Sequence, residues 1–412
     1  MDSRRYDRGL SGGPSLVFAA VKQTGVASGS ARAEPQAKKG RAMTKDNVFY
    51  VGVDVSKAKH AIAIAEGGRE GEVRFFGEID ATPAAVERFV RKLEQKHSRL
   101  HFCYEAGPTG YGLHRQIVAL GHRCDVVAPS LIPKRQGERV KTNRRDAVSL
   151  ARLLRAGELK GIWVPDAVHE AVRDLVRVRS TASEDLRKKR QQLLSFLLRH
   201  GRVFSGHRNW SLAHARWLAA QKFDHPAQQI VFQDQIDVIT DAQARLERLD
   251  AQLAELVPSW SMAPVVAAYQ ALRGVSFIVA VTFVSEVGDV RRFDNPRQLM
   301  AFLGLVPSER STGDTVKRGG LTLAGNRRAR RVLVEGAWSY RYPARVTEPI
   351  RARLEGLPKA VREIAWKAQT RLCGRYRRLT AAGKKTPIVV AAIAREMAAF
   401  LWAIGHQVEP VR

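Results

Sequence analysis

Residues 47–55 read NVFYVGVDV, residues 61–66 AIAIAE and residues 72–79 EVRFFGEI. Each is a short run of β-branched and aromatic residues bounded by turn formers, so the three read as consecutive strands joined by short turns. Working outward, residues 82–96 (TPAAVERFVRKLEQK) carry apolar residues at helical spacing, with Thr82 as cap and Pro83 at the first helical position. HFCYEA at 101–106 is a fourth strand, 109–120 a second helix, CDVVAP at 124–129 a fifth strand, and a third helix follows over about 144–155. Three meandering strands followed by alternating helices and strands is the order of a ribonuclease-H-like α/β fold. A doubly wound nucleotide-binding fold competes, but no Gly-rich phosphate loop follows the first strand.

The rest of the chain divides around this domain, which spans about 47–160. Residues 1–46 are rich in Gly, Ser, Ala and Arg without apolar period and are expected to be disordered. With Met43 just before the first strand, this segment is expected to be an over-extended start of translation; a basic arm gripping nucleic acid is the alternative. Residues 166–258 are expected to be a helical linker. There Ile239, Ala242, Leu246, Leu249, Leu253 and Leu256 repeat as a coiled-coil seam, which an intramolecular hairpin or an oligomer satisfies equally. Residues 264–412 form a further, mainly helical domain.

The 412 residues include 69 Lys and Arg against 40 Asp and Glu, a net charge of +29. Soluble chains this basic usually meet nucleic acid, because cations on phosphates release condensed counterions. Cys103, Cys124 and Cys373 are too far apart for a disulfide framework or zinc site and fit a reducing, cytoplasmic and nucleoid-associated setting. The most apolar stretch, 388–405, contains Arg395 and Glu396 and reads as an amphipathic helix, so no membrane role is expected.

Three acids carry the chemistry. Asp54 ends the first strand, Glu105 ends the fourth, and Asp146 lies at the start of the third helix. With the first and fourth strands as neighbours, both strand-end carboxylates emerge at one sheet edge, and a helix crossing that edge adds the third. Such oxygen-rich sets hold Mg²⁺. Each acid alone also reads as a turn or cap residue. Asn143, three residues before Asp146, shares its face and is either a neutral ligand or the helix cap. Lys134, Arg135, Arg139, Lys141, Arg144, Arg145, Arg152 and Arg155 suit a phosphate track around them.

A second segment runs from Arg310 to Arg345 with nine Lys or Arg and only two acids. Ser311, Thr312 and Gly313 read as a flexible hydroxyl-bearing loop, followed by Lys317 and Arg318. Gly325-Asn326 starts a helix bearing Arg327, Arg328, Arg330 and Arg331. An alcohol beside such cations can attack a phosphodiester, although by spacing alone an ordinary turn on a binding surface is the simpler reading. Residues 272–289 resemble a helix-hairpin-helix, whose Gly-containing turn presents backbone N–H groups to phosphate; a buried helix with an incidental glycine is the alternative. Trp338 and Tyr340 are either base-stacking or core residues.

Together these motifs resemble the DEDD-type insertion-sequence transposases, relatives of the Piv invertases that are described as bridge-RNA-guided recombinases. The resemblance rests on GVDVSK (52–57), YEAGPTGYGL (104–113), KTNRRDAVSLARLL (141–154), the GVSF to GAW block (274–338) and the closing helix near 385–404. It implies a RuvC-like N-terminal domain, a helical linker and a C-terminal transposase domain. It further implies acids that coordinate Mg²⁺, a serine that forms a covalent bond with DNA, sites completed between protomers, and a structured RNA that pairs with donor and target DNA. Two positions depart from the family's pattern. Asn143 stands where an Asp is usual, leaving Asp54, Glu105 and Asp146 as the matching acids. Thr312 stands in the place of the serine before glycine, with Ser311 beside it; Ser311 is favoured because a primary alcohol is less crowded at phosphorus. The competing functions are a junction nuclease without a covalent step and a degenerate element protein that only binds nucleic acid.

Overall fold

A computed structural model of the protein describes residues 48–133 and 142–411. The expectation of disorder over residues 1–46 lies outside the described residues, as do Lys134, Arg135, Arg139 and Lys141. The chain divides into two compact units, the first ending at Ile162 and the second beginning at Trp163.

The first unit contains β1 (Val48–Asp54), β2 (Lys59–Ala65), β3 (Val73–Asp80), α1 (Pro83–Glu94), β4 (Arg99–Glu105), α2 (Gly112–Ala119), β5 (Arg123–Val127) and α3 (Asn143–Arg155). The strands form one five-stranded sheet in the order β3-β2-β1-β4-β5, antiparallel from β3 to β1 and parallel from β1 to β5. That is the mixed sheet expected from the strand-strand-strand-helix-strand order. Thr82 caps α1 as its position suggested, its Oγ1 accepting from the Ala85 amide at 3.3 Å. At α3 the cap is Thr142, whose Oγ1 accepts from the Arg145 amide at 3.3 Å, so Asn143 is the first helical residue and not the cap.

Helix α3 lies across β1 and β2. Its Ala147 and Ala151 form one small-residue layer with Ala61, Ala63 and Ala65 of β2. Gly52, the register partner of Ala63, belongs to the same face. A Cβ on Gly52 would run into the backbone of Ala147 and Ala151, so only glycine lets helix and strand approach this closely.

The second unit begins with two long helices, α4 (Ala167–Arg199) and α6 (Pro226–Leu256), with the short α5 (Leu212–Ala219) between them. Arg179 meets Asp250 and Arg190 meets Gln243, so the two long helices run antiparallel. The heptad seam is therefore satisfied within the chain. Ile239, Ala242 and Leu253 are buried in the hairpin, although Leu256 remains exposed.

Beyond it come α7 (Ala263–Tyr269), α8 (Phe277–Val287), α9 (Pro296–Phe302), β6 (Pro307–Glu309), β7 (Arg318–Leu321), α10 (Arg327–Ala337), α11 (Glu348–Leu354), α12 (Lys359–Ala381) and α13 (Thr386–Gly405). Among the described residues, α13 is the one helix long and apolar enough to cross a membrane. Its Val389, Ile393, Met397, Leu401 and Ile404 are buried in the core of this unit.

Over 272–289, expected as a helix-hairpin-helix, the structure has a turn with Gly274 at φ +81° followed by the single helix α8, while α7 ends before this stretch at Tyr269. The reason for that glycine is packing, because a Cβ would collide with the Gly336 carbonyl of α10. Tyr340 is wholly buried and is a core residue, while Trp338 is 40% exposed.

Candidate active site

The sheet brings the three acids to one edge. Parallel strands β1 and β4 are in register through Val53 and Tyr104, so the next residues, Asp54 and Glu105, sit side by side at adjacent strand ends. Asp54 is two residues beyond Gly52 and so lies on the face covered by α3. The direction of α3 follows from Arg155, whose guanidinium donates to the carbonyls of Glu66 and Gly71 just past the end of β2. Because β2 is antiparallel to β1, that contact marks the start of β1. The first turn of α3, with Asn143 and Asp146, consequently lies toward the end of β1 that carries Asp54.

Asp54, Glu105 and Asp146 are all half-buried. Carboxylate oxygens at one sheet edge suit a hard divalent ion. Among the described residues, however, no three His, Cys, Asp or Glu side chains are gathered closely enough to hold a metal. The acids share an edge without being drawn into a cluster. Asn143 is exposed on the same helical turn, free of any capping duty. An open cleft of about 760 Å³ beside the end of β1 is lined by Ser56, Lys57, His60 and Thr109 but by none of the acids.

Of the expected phosphate track, Arg144, Arg145, Arg152 and Arg155 fall among the described residues. Arg155 is occupied by the turn after β2, at the far end of α3 from the acids. Arg144, Arg145 and Arg152 are all exposed, with the Arg144 guanidinium over the Phe75 ring at 5.4 Å.

In the second unit, the segment expected as a flexible loop is a β-hairpin. β6 pairs with β7 through Pro307–Leu321 and Glu309–Arg318, and Arg310 N–H continues the pairing to the Lys317 carbonyl at 2.8 Å. Thr312 and Thr315 exchange backbone hydrogen bonds of 3.1 and 3.2 Å across a turn whose Gly313 has φ +57°. A residue with that φ is ordinarily glycine. Ser311 stands just before the tip and donates its hydroxyl to Glu309 Oε1 at 2.8 Å, while Arg318 Nε donates to Glu309 Oε2 at 3.4 Å.

Helix α10 starts where the sequence indicated, with Asn326 Oδ1 accepting from the Ala329 amide at 3.0 Å. Its arginines divide by role. Arg327 and Arg328 are exposed, as is Lys317 on the hairpin. Arg330 is half-buried and donates to the Leu303 carbonyl at 2.8 Å, and Arg331 pairs with Glu184 and Glu335. Only the first group is presented to a ligand without an ion pair among the described residues.

The residue that sequence reasoning missed is Glu286 of α8. Its carboxylate is nearly fully buried, accepts from Arg177 Nε and Nη2 at 2.7 and 2.9 Å, and accepts from Asn326 Nδ2 at 2.8 Å. Burial by itself pushes its pKa up, but the hydrogen bonds from Arg177 and Asn326 and the nearby charges outweigh that and hold it below the ordinary glutamate value. Glu286 thus ties the cap of the arginine helix to the base of the long hairpin. A lone acid in the otherwise apolar run FIVAVTFVSEV was the available signal.

The mixed five-stranded sheet with carboxylates at one edge, joined in the chain to an arginine-rich helical unit, agrees with the RuvC-like class of domain. Residues 51–201 match the DEDD transposase family model of IS110 type, and residues 267–351 match the model described as Transposase IS116/IS110/IS902 family. The chain is 56% identical to "Putative transposase y4qE" of Sinorhizobium fredii over 89% of its own length and 91% of that relative. It is 32% identical to the transposase for insertion sequence element IS1533 of Leptospira borgpetersenii over 82% of its length and 98% of that protein. The chain belongs to the IS110 family of insertion-sequence transposases, which are DNA recombination enzymes.

Proposed function

We propose that this transposase cleaves and rejoins the DNA of its element with Mg²⁺ held by Asp54, Glu105 and Asp146, assisted by the neutral oxygen of Asn143, and with Ser311 or Thr312 as nucleophile. The carrying observation is the register of β1 with β4, which sets Asp54 beside Glu105 at the end of the sheet toward which α3 points its Asp146 turn. The oxygen donors suit a divalent ion by type, but the three carboxylates stand apart in this structure and would have to draw together to hold one; when bound it would supply positive charge to a phosphodiester. The hydroxyl forms an ester to phosphorus as a deoxyribose oxygen departs, and Lys317, Arg327 and Arg328 attract the DNA backbone.

The proposal includes three working parts: a catalytic domain over 47–160, a helical linker over 166–258 and a transposase domain over 264–412. It also includes a guide RNA and assembly of several protomers, both of which rest on the family resemblance. The net charge of +29 supports RNA together with DNA as partners.

A plasmid excision assay tests the acids: Asp54→Ala is expected to abolish recombination, and wild-type excision by this variant overturns the metal assignment. Trapping of protein–DNA adducts tests the hydroxyls. Loss of adduct in the double variant Ser311→Ala/Thr312→Ala is expected, and strand cleavage persisting there favours a junction nuclease. Sequencing RNA that copurifies with the protein tests guidance, and a random cellular mixture argues against it.

A further inference from the structure

We propose that Glu309 is the general base that activates Ser311, which makes the hairpin tip a two-residue catalytic unit and selects Ser311 over Thr312. The inference rests on the reading above that a hydroxyl of this hairpin attacks DNA, and deepens it.

Glu309 and Ser311 are two residues apart on a strand whose pairing continues past Glu309 through Arg310, so their side chains fall on one face. The serine hydroxyl donates to Glu309 Oε1 at 2.8 Å, within the reach required of a base. The other carboxylate oxygen is held by Arg318, the register partner of Glu309, which turns Oε1 toward the serine. Thr312 is pinned differently, by two backbone bonds to Thr315 across the turn. The hydrogen bond from Ser311 and the contact with Arg318 keep the Glu309 carboxyl below its usual range, so it is ionised near neutrality. The other charged side chains on the hairpin are Arg310, Asp314, Lys317 and Arg318.

In the step itself, the Ser311 Oγ–P bond forms as the P–O bond to the departing deoxyribose breaks. The serine proton passes to Glu309 Oε1, and the departing oxygen takes its proton from water. In rejoining, a deoxyribose hydroxyl attacks the phosphoserine, its proton is lost to water, and Glu309 returns the stored proton to Ser311 Oγ. No oxidant or further reactant is needed. DNA bound over the hairpin removes water from this exposed pair and strengthens the contact.

The test is single-turnover adduct formation by the full-length protein on element-end DNA, between pH 5 and 9. Whatever assembly and RNA the wild type needs are supplied to every variant. Wild type is expected to be flat across most of this range. Glu309→Gln keeps an acceptor but cannot take a proton, and should be slower by about 100-fold or more, with a rate that rises with pH. Glu309→Asp should recover part of the loss. Arg318→Gln should move the acid limb of the profile to higher pH, because the carboxyl loses the cation that lowers its pKa.

A Glu309→Gln rate within threefold of wild type, with the same pH profile, overturns the proposal. Ser311→Ala separates the two levels of inference. Adduct persisting through Thr312 in that variant defeats the nucleophile assignment, whereas loss of adduct in Ser311→Ala with unchanged Glu309→Gln defeats only the base. The melting temperature, expected to be unchanged for these exposed positions, excludes misfolding as the cause.

Discussion

Glu286 shows how much one buried carboxylate settles. It is hydrogen-bonded by Arg177 of α4 and by Asn326 at the cap of α10, so three segments far apart in sequence meet on two oxygens. Removing Glu286 leaves Asn326 without this partner and leaves Arg177, 37% exposed, partly open to water, so the cost is below the ~3–5 kcal/mol of a fully buried pair. Glu286→Ala is therefore expected to lower the melting temperature clearly, while an exposed arginine change such as Arg328→Gln leaves it nearly unaltered. The pH dependence has a definite sign. Because the native carboxyl lies below its unfolded value, its stabilisation is complete above the ordinary glutamate range and is lost as the pH falls through the lowered native pKa. Thermal melts between pH 7 and 3 check this, and the variant should show a flatter acid limb than wild type. None of this was visible in the sequence beyond an acid in an apolar helix, because its partners lie 109 and 40 residues away.

At the scale of elements, the legible parts were those with local signals. The succession of strands and helices along the first unit, the Thr82 cap and the start of α10 at Asn326 all follow from short-range patterns. The heptad seam of α6 was equally legible, but a seam only asks for a partner, and the structure supplies α4 of the same chain. Two readings failed where the decision was tertiary or finely balanced. The 311–313 segment looks flexible because Ser, Thr and Gly are turn formers, yet strand pairing from Pro307 to Leu321 orders both sides of it. At α3, Thr142 and Asn143 are both good caps, and the backbone turns at Thr142. That outcome separates two roles experimentally. Thr142→Ala should cost about 1 kcal/mol of stability, measured by denaturant melts. Asn143→Ala should cost little stability and should lower excision if its amide is a ligand, while Asn143→Asp should raise excision by adding a charge to the acid set.

For the whole molecule, a net charge of +29 is not spread evenly over function. Arg155, Arg177 and Arg330 are spent on holding the fold together, whereas Lys317, Arg327 and Arg328 face outward. DNA affinity measured against salt concentration distinguishes the two groups. Each of Lys317→Gln, Arg327→Gln and Arg328→Gln is expected to reduce the steepness of the log–log plot by about one. Arg330→Gln is expected to lower stability while leaving the salt slope almost unchanged. The sequence reported the amount of positive charge correctly but not its division, because an arginine's partner is set by packing.

The long antiparallel hairpin of α4 and α6 has a mechanical meaning. Its base is set in the core of the second unit through Val172, Val176 and Leu253, and its far end carries a small core of its own around Leu193, Phe196 and Phe232. Thirty-three residues of α4 give an arm of about 50 Å, so a tilt of about 5° at the base swings the tip by about 4 Å. Length here behaves as a ruler: removing one heptad from each helix keeps the seam in phase and shortens the reach by about 10 Å.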